Sequence, residues 1–257
     1  MTEPARPEPR LAATVLLVRD GAPGLEVFMV ERHHQIDFAT GALVFPGGKV
    51  DPGDADPRLA DRCGAELAAD APARTLRVAA IRETFEECGV LLARPRGARE
   101  LVPAARLPKP DADFASLVCG GDFDLACDLL VPFAHWITPA VVPKRFDTHF
   151  FIAAAPADQL ALHDGRESVD SVWIAPQAAL DAAESGKRTI IFPTLMNLAR
   201  LAQAKSAAEA LARARTAKIV TVQPAVSRGA DGNPALSIPA EAGYPTLSPA
   251  LLRAGGL

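Results

Sequence analysis

Residues 79–90 read Ala-Ala-Ile-Arg-Glu-Thr-Phe-Glu-Glu-Cys-Gly-Val, and the reading of this stretch decides the fold. It closes a segment opened by Asp70-Ala71-Pro72, an acidic cap with a proline in the first turn. The spacing predicts a helix from about Ala73 to Cys88, stopped at Gly89. At about 100° per residue, Val78, Ile81, Phe85 and Cys88 share a sector of roughly 80°. Glu83, Glu86 and Glu87 lie within about 100° of one another on nearly the opposite side. One face is built to pack, and the other presents three carboxylates at i, i+3 and i+4. Like charges this close repel unless a cation sits among them, and hard oxygen ligands suit Mg²⁺ or Mn²⁺. Arg82 is placed to hold and orient one of the acids. A solvated acidic face fits the same periodicity, so the helix alone leaves both readings open.

Upstream, Leu11–Val18 and Leu25–Glu31 are apolar, rich in β-formers and separated by a turn-like Asp-Gly-Ala-Pro-Gly. They predict two strands. Ala42–Phe45 predicts a third, ending in Pro46-Gly47-Gly48, and residues 49–57 read as loop. Arg58–Ala69 fits a short helix. Downstream, Val90–Ala93, Ala134–Pro139, Phe146–Ala155 and Ser171–Ala175 read as strands, residues 94–110 as loop, and Asp111–Leu130 as one or two short helices. Pro176–Ser185 and Thr194–Arg215 read as helices. Residues 221–257, with five prolines, read as an irregular extension beyond a single domain of residues 1–220, with insertions near 51–73 and 94–130. Strands mixed with separated helices point to a mixed α/β (α+β) sheet with helices packed on it.

The bulk composition bounds the function. With 257 residues, 49% of them hydrophobic, the chain can bury a sizeable core. A net charge of −4 argues against nucleic acid or an anionic membrane as partner. No stretch approaches the length of a membrane span. Cys63, Cys88, Cys119 and Cys127 show no C-x-x-C spacing, so reduced thiols in the cytoplasm are the simplest expectation. His33, His34, His135, His149 and His163 form no H-E-x-x-H pattern, and Trp136 and Trp173 read as core or pocket wall.

Arg82-Glu83-Thr84-Phe85-Glu86-Glu87-Cys88-Gly89-Val90 resembles the second half of the Nudix box, R-E-U-x-E-E-x-G-U, where U is a bulky apolar residue. Phe45-Pro46-Gly47-Gly48 looks like the strand end and glycine turn that open that box. Three departures accompany the match. About 20 extra residues lie between Gly48 and the helix, and Thr84 replaces an apolar residue. The box's first Glu is held by Arg74 counting back from Arg82, or by Asp54 counting forward from Gly48. Asp51 and Asp54 are candidate partners for Arg82, turn formation being the simpler role for both.

The resemblance implies a Nudix-type α/β/α sandwich and metal-dependent cleavage of a diphosphate linked to a nucleoside, using Mg²⁺ or Mn²⁺. It makes Glu83, Glu86 and Glu87 metal ligands, Arg82 their orienting group, and Gly47 and Gly48 the close-approach turn. Lys49 is a candidate phosphate contact, and Glu167 a candidate base or further ligand. The insertion, the run Trp136–Pro139, residues 143–151 and Phe192-Pro193-Thr194 are similar to the branch that includes peroxisomal coenzyme A diphosphatases. That implies coenzyme A or its thioesters as substrate, with Lys144 and Arg145 as candidate contacts for a 3′-phosphate. Two features differ from that branch. Asp37 stands where its upstream signature has Arg, and the final Arg-Ala-Gly-Gly-Leu is not a peroxisomal address. ADP-ribose, NADH or a dinucleotide is the alternative substrate, and a non-catalytic Nudix-fold regulator is the alternative of another class. A small molecule is the expected partner, and a homodimer is left open.

Overall fold

The apolar run at residues 11–18 lies in β1 (Arg10–Gly21), the central strand of the computed structural model, which describes residues 8–22, 24–32, 41–109, 113–159, 161, 168–228 and 234–255. The remaining strands are β2 (Gly24–Arg32), β3 (Leu43–Val44), β4 (Gly47–Lys49), β5 (Ala93–Pro95), β6 (Phe123–Leu125), β7 (Val131–Ile137), β8 (Phe146–Ala154), β9 (Ser168–Ile174), β10 (Thr221–Val222), β11 (Ala225–Arg228) and β12 (Pro234–Ser237). The helices are α1 (Ala65–Ala68), α2 (Ala71–Cys88), α3 (Phe114–Gly120), α4 (Pro176–Glu184), α5 (Phe192–Leu201), α6 (Ala207–Thr216) and α7 (Pro249–Ala254). Eight strands make one mixed sheet, ordered β10-β7-β8-β1-β2-β3, with β4 added on β1 and β9 on β2. β8 runs parallel to one edge of β1, while β4 and β2 run antiparallel to its other edge.

Side chains alternate along a strand, so β1 feeds two cores. Ala13, Val15 and Leu17 join Val78, Ile81, Phe85 and Cys88 of α2 beneath one face. Leu16 and Val18 join Leu195, Met196 and Leu198 of α5 on the other. Helices on both faces of a mixed sheet match the expected sandwich. α2 begins as its cap predicts, with the Asp70 carboxylate accepting from Ala73 N at 3.1 Å. It ends at Gly89 in the left-handed conformation, φ +69°.

Several elements differ from the sequence expectations. Residues 49–57 are not all loop: Lys49 ends β4, and residues 52–55 and 57–62 form 3₁₀ turns, so only Ala65–Ala68 of the expected short helix is α. Val90, Leu91 and Leu92 are buried but lie outside the strands, since β5 starts only at Ala93. The backbone of Leu91 is engaged instead by the buried Gln159 side chain, which accepts from Leu91 N at 2.9 Å. The described residues 113–130 hold one α-helix, α3, followed by β6 and a turn, where one or two helices were expected. The long helix expected over Thr194–Arg215 is two helices broken at residues 202–206, with the Ser206 hydroxyl capping α6 through Glu209 N at 3.2 Å. The proline-rich extension contains the β11–β12 hairpin and α7, and its Ala242, Leu247 and Leu251 belong to the core on the α5 side.

Candidate active site

The site is assembled where β4 passes beneath α2. Two of the three residues of β4 are glycines, and their surroundings require it. Gly47 sits at φ +149°, and a Cβ on it would meet Ala13 O at 2.4 Å. A Cβ on Gly48 would lie 2.5 Å from Glu83 Oε1. The glycine strand therefore lets β1 approach on one side and the helix carboxylates on the other. Gly47 N donates to Glu87 Oε2 at 2.9 Å, which fixes that buried carboxylate against the strand.

Arg82 holds the arrangement together. Its Nε and Nη2 donate to the two carboxylate oxygens of Asp54 at 2.7 and 2.9 Å, a bidentate pair. Nη1 donates to Glu83 Oε1 at 3.0 Å and to Glu86 Oε2 at 2.9 Å, and Nη2 also reaches the Lys49 carbonyl at 3.0 Å. Burial opposes the charge on Arg82, but the Asp54 hydrogen bond and the charges of Glu83, Asp54 and Glu86 outweigh it and raise its pKa above the ordinary arginine value. Asp54, 1% exposed, also accepts from Asp51 N at 2.8 Å, so it shapes the turn as well as pairing with Arg82. Asp51 lies at 3.9 Å from Arg82 and is exposed. The count forward from the glycine turn therefore identifies the partner of Arg82. Arg74, reached by counting back, is buried and donates to the Leu67 carbonyl at 3.3 Å, away from the carboxylates. Thr84 stays buried because its hydroxyl donates to the Ala80 carbonyl at 2.7 Å.

The acidic face is thus not a solvated one. Glu87 is buried, Glu83 is half-buried, and only Glu86 is exposed. Asp54, Glu83 and Glu86 gathered around one guanidinium, with Glu87 on Gly47 N, leave excess negative charge, and the Gly48 cradle brings backbone close to Glu83. By its chemistry this hard-oxygen donor set suits a divalent ion such as Mg²⁺ or Mn²⁺, which Glu83, Glu86 and Glu87 could hold.

The other expected site residues are distributed around this centre. The Lys49 side chain is exposed. Lys144 and Arg145 lie in the turn before β8, and Arg145 Nε donates to the Thr138 carbonyl at 3.2 Å. That turn leaves the sheet at the same end as Lys49, because Asp147 pairs with Leu11 and Lys49 with Ala12. Glu167, His33, His34, His163 and Asp37 lie outside the described residues. One grouping is not visible along the chain: His135, Asp147 and His149 come together on β7 and β8. The signal for it is the Asp-x-His spacing on one predicted strand with a His on the preceding strand, a cross-strand pattern rather than a linear motif.

Known proteins place this geometry in a family. The profile of the NUDT19 Nudix domain matches residues 60–201, more than half of the chain. A Caenorhabditis elegans protein named nudix hydrolase 7 is 30% identical over 184 residues, covering 70% of this chain and 56% of that protein. The chicken (Gallus gallus) acyl-coenzyme A diphosphatase NUDT19 is 27% identical over 258 residues, covering 75% of this chain and 68% of that protein. The chain thus spans just over half the length of the worm relative. Among solved structures, the NUDIX hydrolase of Alicyclobacillus acidocaldarius superposes with a TM-score of 0.68 at 29% identity, covering 81% of this chain and 97% of that one. The box residues, the glycine strand, the mixed sheet and these matches agree, and the chain belongs to the Nudix hydrolase family, related to the NUDT19 branch.

Proposed function

We propose that this protein is a metal-dependent diphosphatase that cleaves coenzyme A or its thioesters, releasing 3′,5′-ADP and a phosphopantetheine product. The observation that carries the reading is the Arg82 network, which fixes Glu83 and Glu86 beside the glycine strand while Gly47 fixes Glu87. A Mg²⁺ or Mn²⁺ ion bound there supplies positive charge to neutralise the diphosphate and the charge that develops during attack. The chain's own residues do the rest. Arg82 and Asp54 keep the carboxylates from splaying apart, so the ligand set is organised before substrate arrives. Gly47 and Gly48 let the backbone bend close to the carboxylates that would hold the ion. Lys49, exposed at the end of β4, is the phosphate contact. Lys144 and Arg145, at the same end of the sheet, are the contacts for the 3′-phosphate. Glu167 is the general base on its sequence position alone. Water adds across the P–O–P bridge, so one oxygen and two protons are distributed between two phosphate products.

The choice of coenzyme A is supported by relatives named acyl-coenzyme A diphosphatase, and by residues 136–151, which carry the branch resemblance in this chain. A product panel of coenzyme A, acetyl-coenzyme A, ADP-ribose, NADH and diadenosine polyphosphates, read by phosphorus NMR, tests it. Cleavage of the coenzyme A compounds at the highest kcat/KM is expected. Preference for ADP-ribose or NADH by tenfold or more overturns the substrate. No turnover of any compound with millimolar Mg²⁺ or Mn²⁺ overturns the enzyme reading in favour of a nucleotide-binding regulator.

A further inference from the structure

The sheet carries a transverse row of paired residues: Gly48 on β4, Ala13 on β1, His149 on β8, His135 on β7 and Thr221 on β10. Ala13 faces α2, and so do Phe151 and Ala153, which share strand parity with Asp147 and His149. The two histidines and the aspartate therefore stand on the same face as the helix carboxylates. Two strand spacings separate Gly48 from His149, about 10 Å. The group of ligand atoms that lie within 4.8 Å of one another is His135, Asp147 and His149, without the helix carboxylates.

Within the cluster, His135 Nε2 lies 2.5 Å from Asp147 Oδ1, and His149 Nε2 lies 3.7 Å from the same oxygen. The three ligand atoms all lie within 4.8 Å of one another. Ligand atoms about 2.0–2.1 Å from a tetrahedral ion stand roughly 3.3 Å apart, so the group needs only small rotations to enclose one. The rings now stack with centroids 4.1 Å apart at 20°, and the soft ring torsion of histidine allows them to splay and converge. A second observation comes from behind the ring. His135 Nδ1 lies 2.8 Å from Thr221 Oγ1, an outer contact that fixes the ring and leaves Nε2 to point at Asp147. The three side chains are 18%, 28% and 31% exposed, so an ion from solvent can reach them.

The geometry points to a second metal site at His135, Asp147 and His149, one that takes a zinc-type transition ion. Two imidazoles and a carboxylate form a borderline-soft set, unlike the all-oxygen set on α2. Three protein ligands leave a coordination position open to an anionic oxygen such as a phosphate. The site stands on its own geometry and does not depend on the substrate proposed above.

The test is titration of the full chain with Co²⁺ alone, followed by its visible absorption, and with Zn²⁺ alone, followed by calorimetry. The wild type and Glu86→Gln are both expected to show the intense band of four- or five-coordinate Co²⁺, which a six-coordinate all-oxygen site on α2 does not give. His149→Gln and Asp147→Asn are expected to lose the band and at least about tenfold of Zn²⁺ affinity. Absence of the band in the wild type overturns the site without recourse to any variant. Persistence of the band in both cluster variants, or its loss in Glu86→Gln, also overturns it, by placing the ion elsewhere. Hydrolase activity enters none of these readouts, so failure of the site and failure of the proposed function remain separate results.

Discussion

Along β1, Ala13, Val15 and Leu17 face α2, while Leu16 and Val18 face the core that holds α4–α7. The first face carries a buried guanidinium with carboxylates around it. The second is mainly apolar and carries a short hydrogen-bond chain, in which Trp136 Nε1 donates to Tyr244 Oη at 2.9 Å and Tyr244 donates to Asn197 Oδ1 at 2.8 Å, with Arg200 over the Tyr244 ring. Burying charge costs several kcal/mol per ion unless it is paired, whereas burying apolar surface stabilises directly. The difference teaches that the α2 face gives up stability for organised charge, and the opposite face makes it good. Variants on the two faces should therefore separate activity from stability.

The largest effect is expected on the α2 face. Glu86→Gln removes an exposed carboxylate and should lower kcat about a thousandfold while leaving the urea midpoint unchanged. A loss of stability without loss of turnover would break the comparison. Asp54→Asn should affect both properties, because Arg82 loses its bidentate partner while remaining buried. About 3 kcal/mol of stability and about 10- to 100-fold of kcat should be lost, whereas Asp51→Asn, at an exposed carboxylate 3.9 Å away, should change stability by less than about 0.5 kcal/mol. Denaturant curves paired with turnover separate the two aspartates. Gly48→Ala pushes a methyl against Glu83, so Mn²⁺ affinity should fall about tenfold, with a smaller change in melting temperature. The smallest effect on activity belongs to the opposite face. Tyr244→Phe should cost about 1–2 kcal/mol in urea unfolding and leave kcat and KM unchanged.

What the sequence reveals follows the same division. α2 was legible because Asp70, Pro72 and Gly89 are local signals that act within a turn of where they stand. The carboxylate face was legible for the same reason, since three acids at helical spacing meet without help from the rest of the chain. Asp54 was only a candidate, because its role as partner of Arg82 depends on a contact 28 positions away. The break between α5 and α6 is hidden from a local reading even though Ser206-x-x-Glu209 is a cap signal, because Ala202, Gln203, Ala204 and Lys205 all favour helix. In the extension, prolines suggested irregularity, yet Pro249 is the first residue of α7 after the Ser248 cap, a position where its missing N–H costs nothing. The pairing of His135 with His149 depends on strand register, which no linear spacing contains.

The long detour between the glycine strand and α2 has a consequence for how the chain can vary. Its near end is pinned by Arg82 to the Asp54 carboxylate and the Lys49 carbonyl, and its far end by the Asp70 cap. Between those ends the detour is itself packed, since Leu59 and Cys63 are buried in the core beneath α2. The carboxylates are therefore positioned by what grips the two ends of the detour, and insertions between those ends are expected at exposed positions such as Gly64 rather than at the buried Leu59 or Cys63.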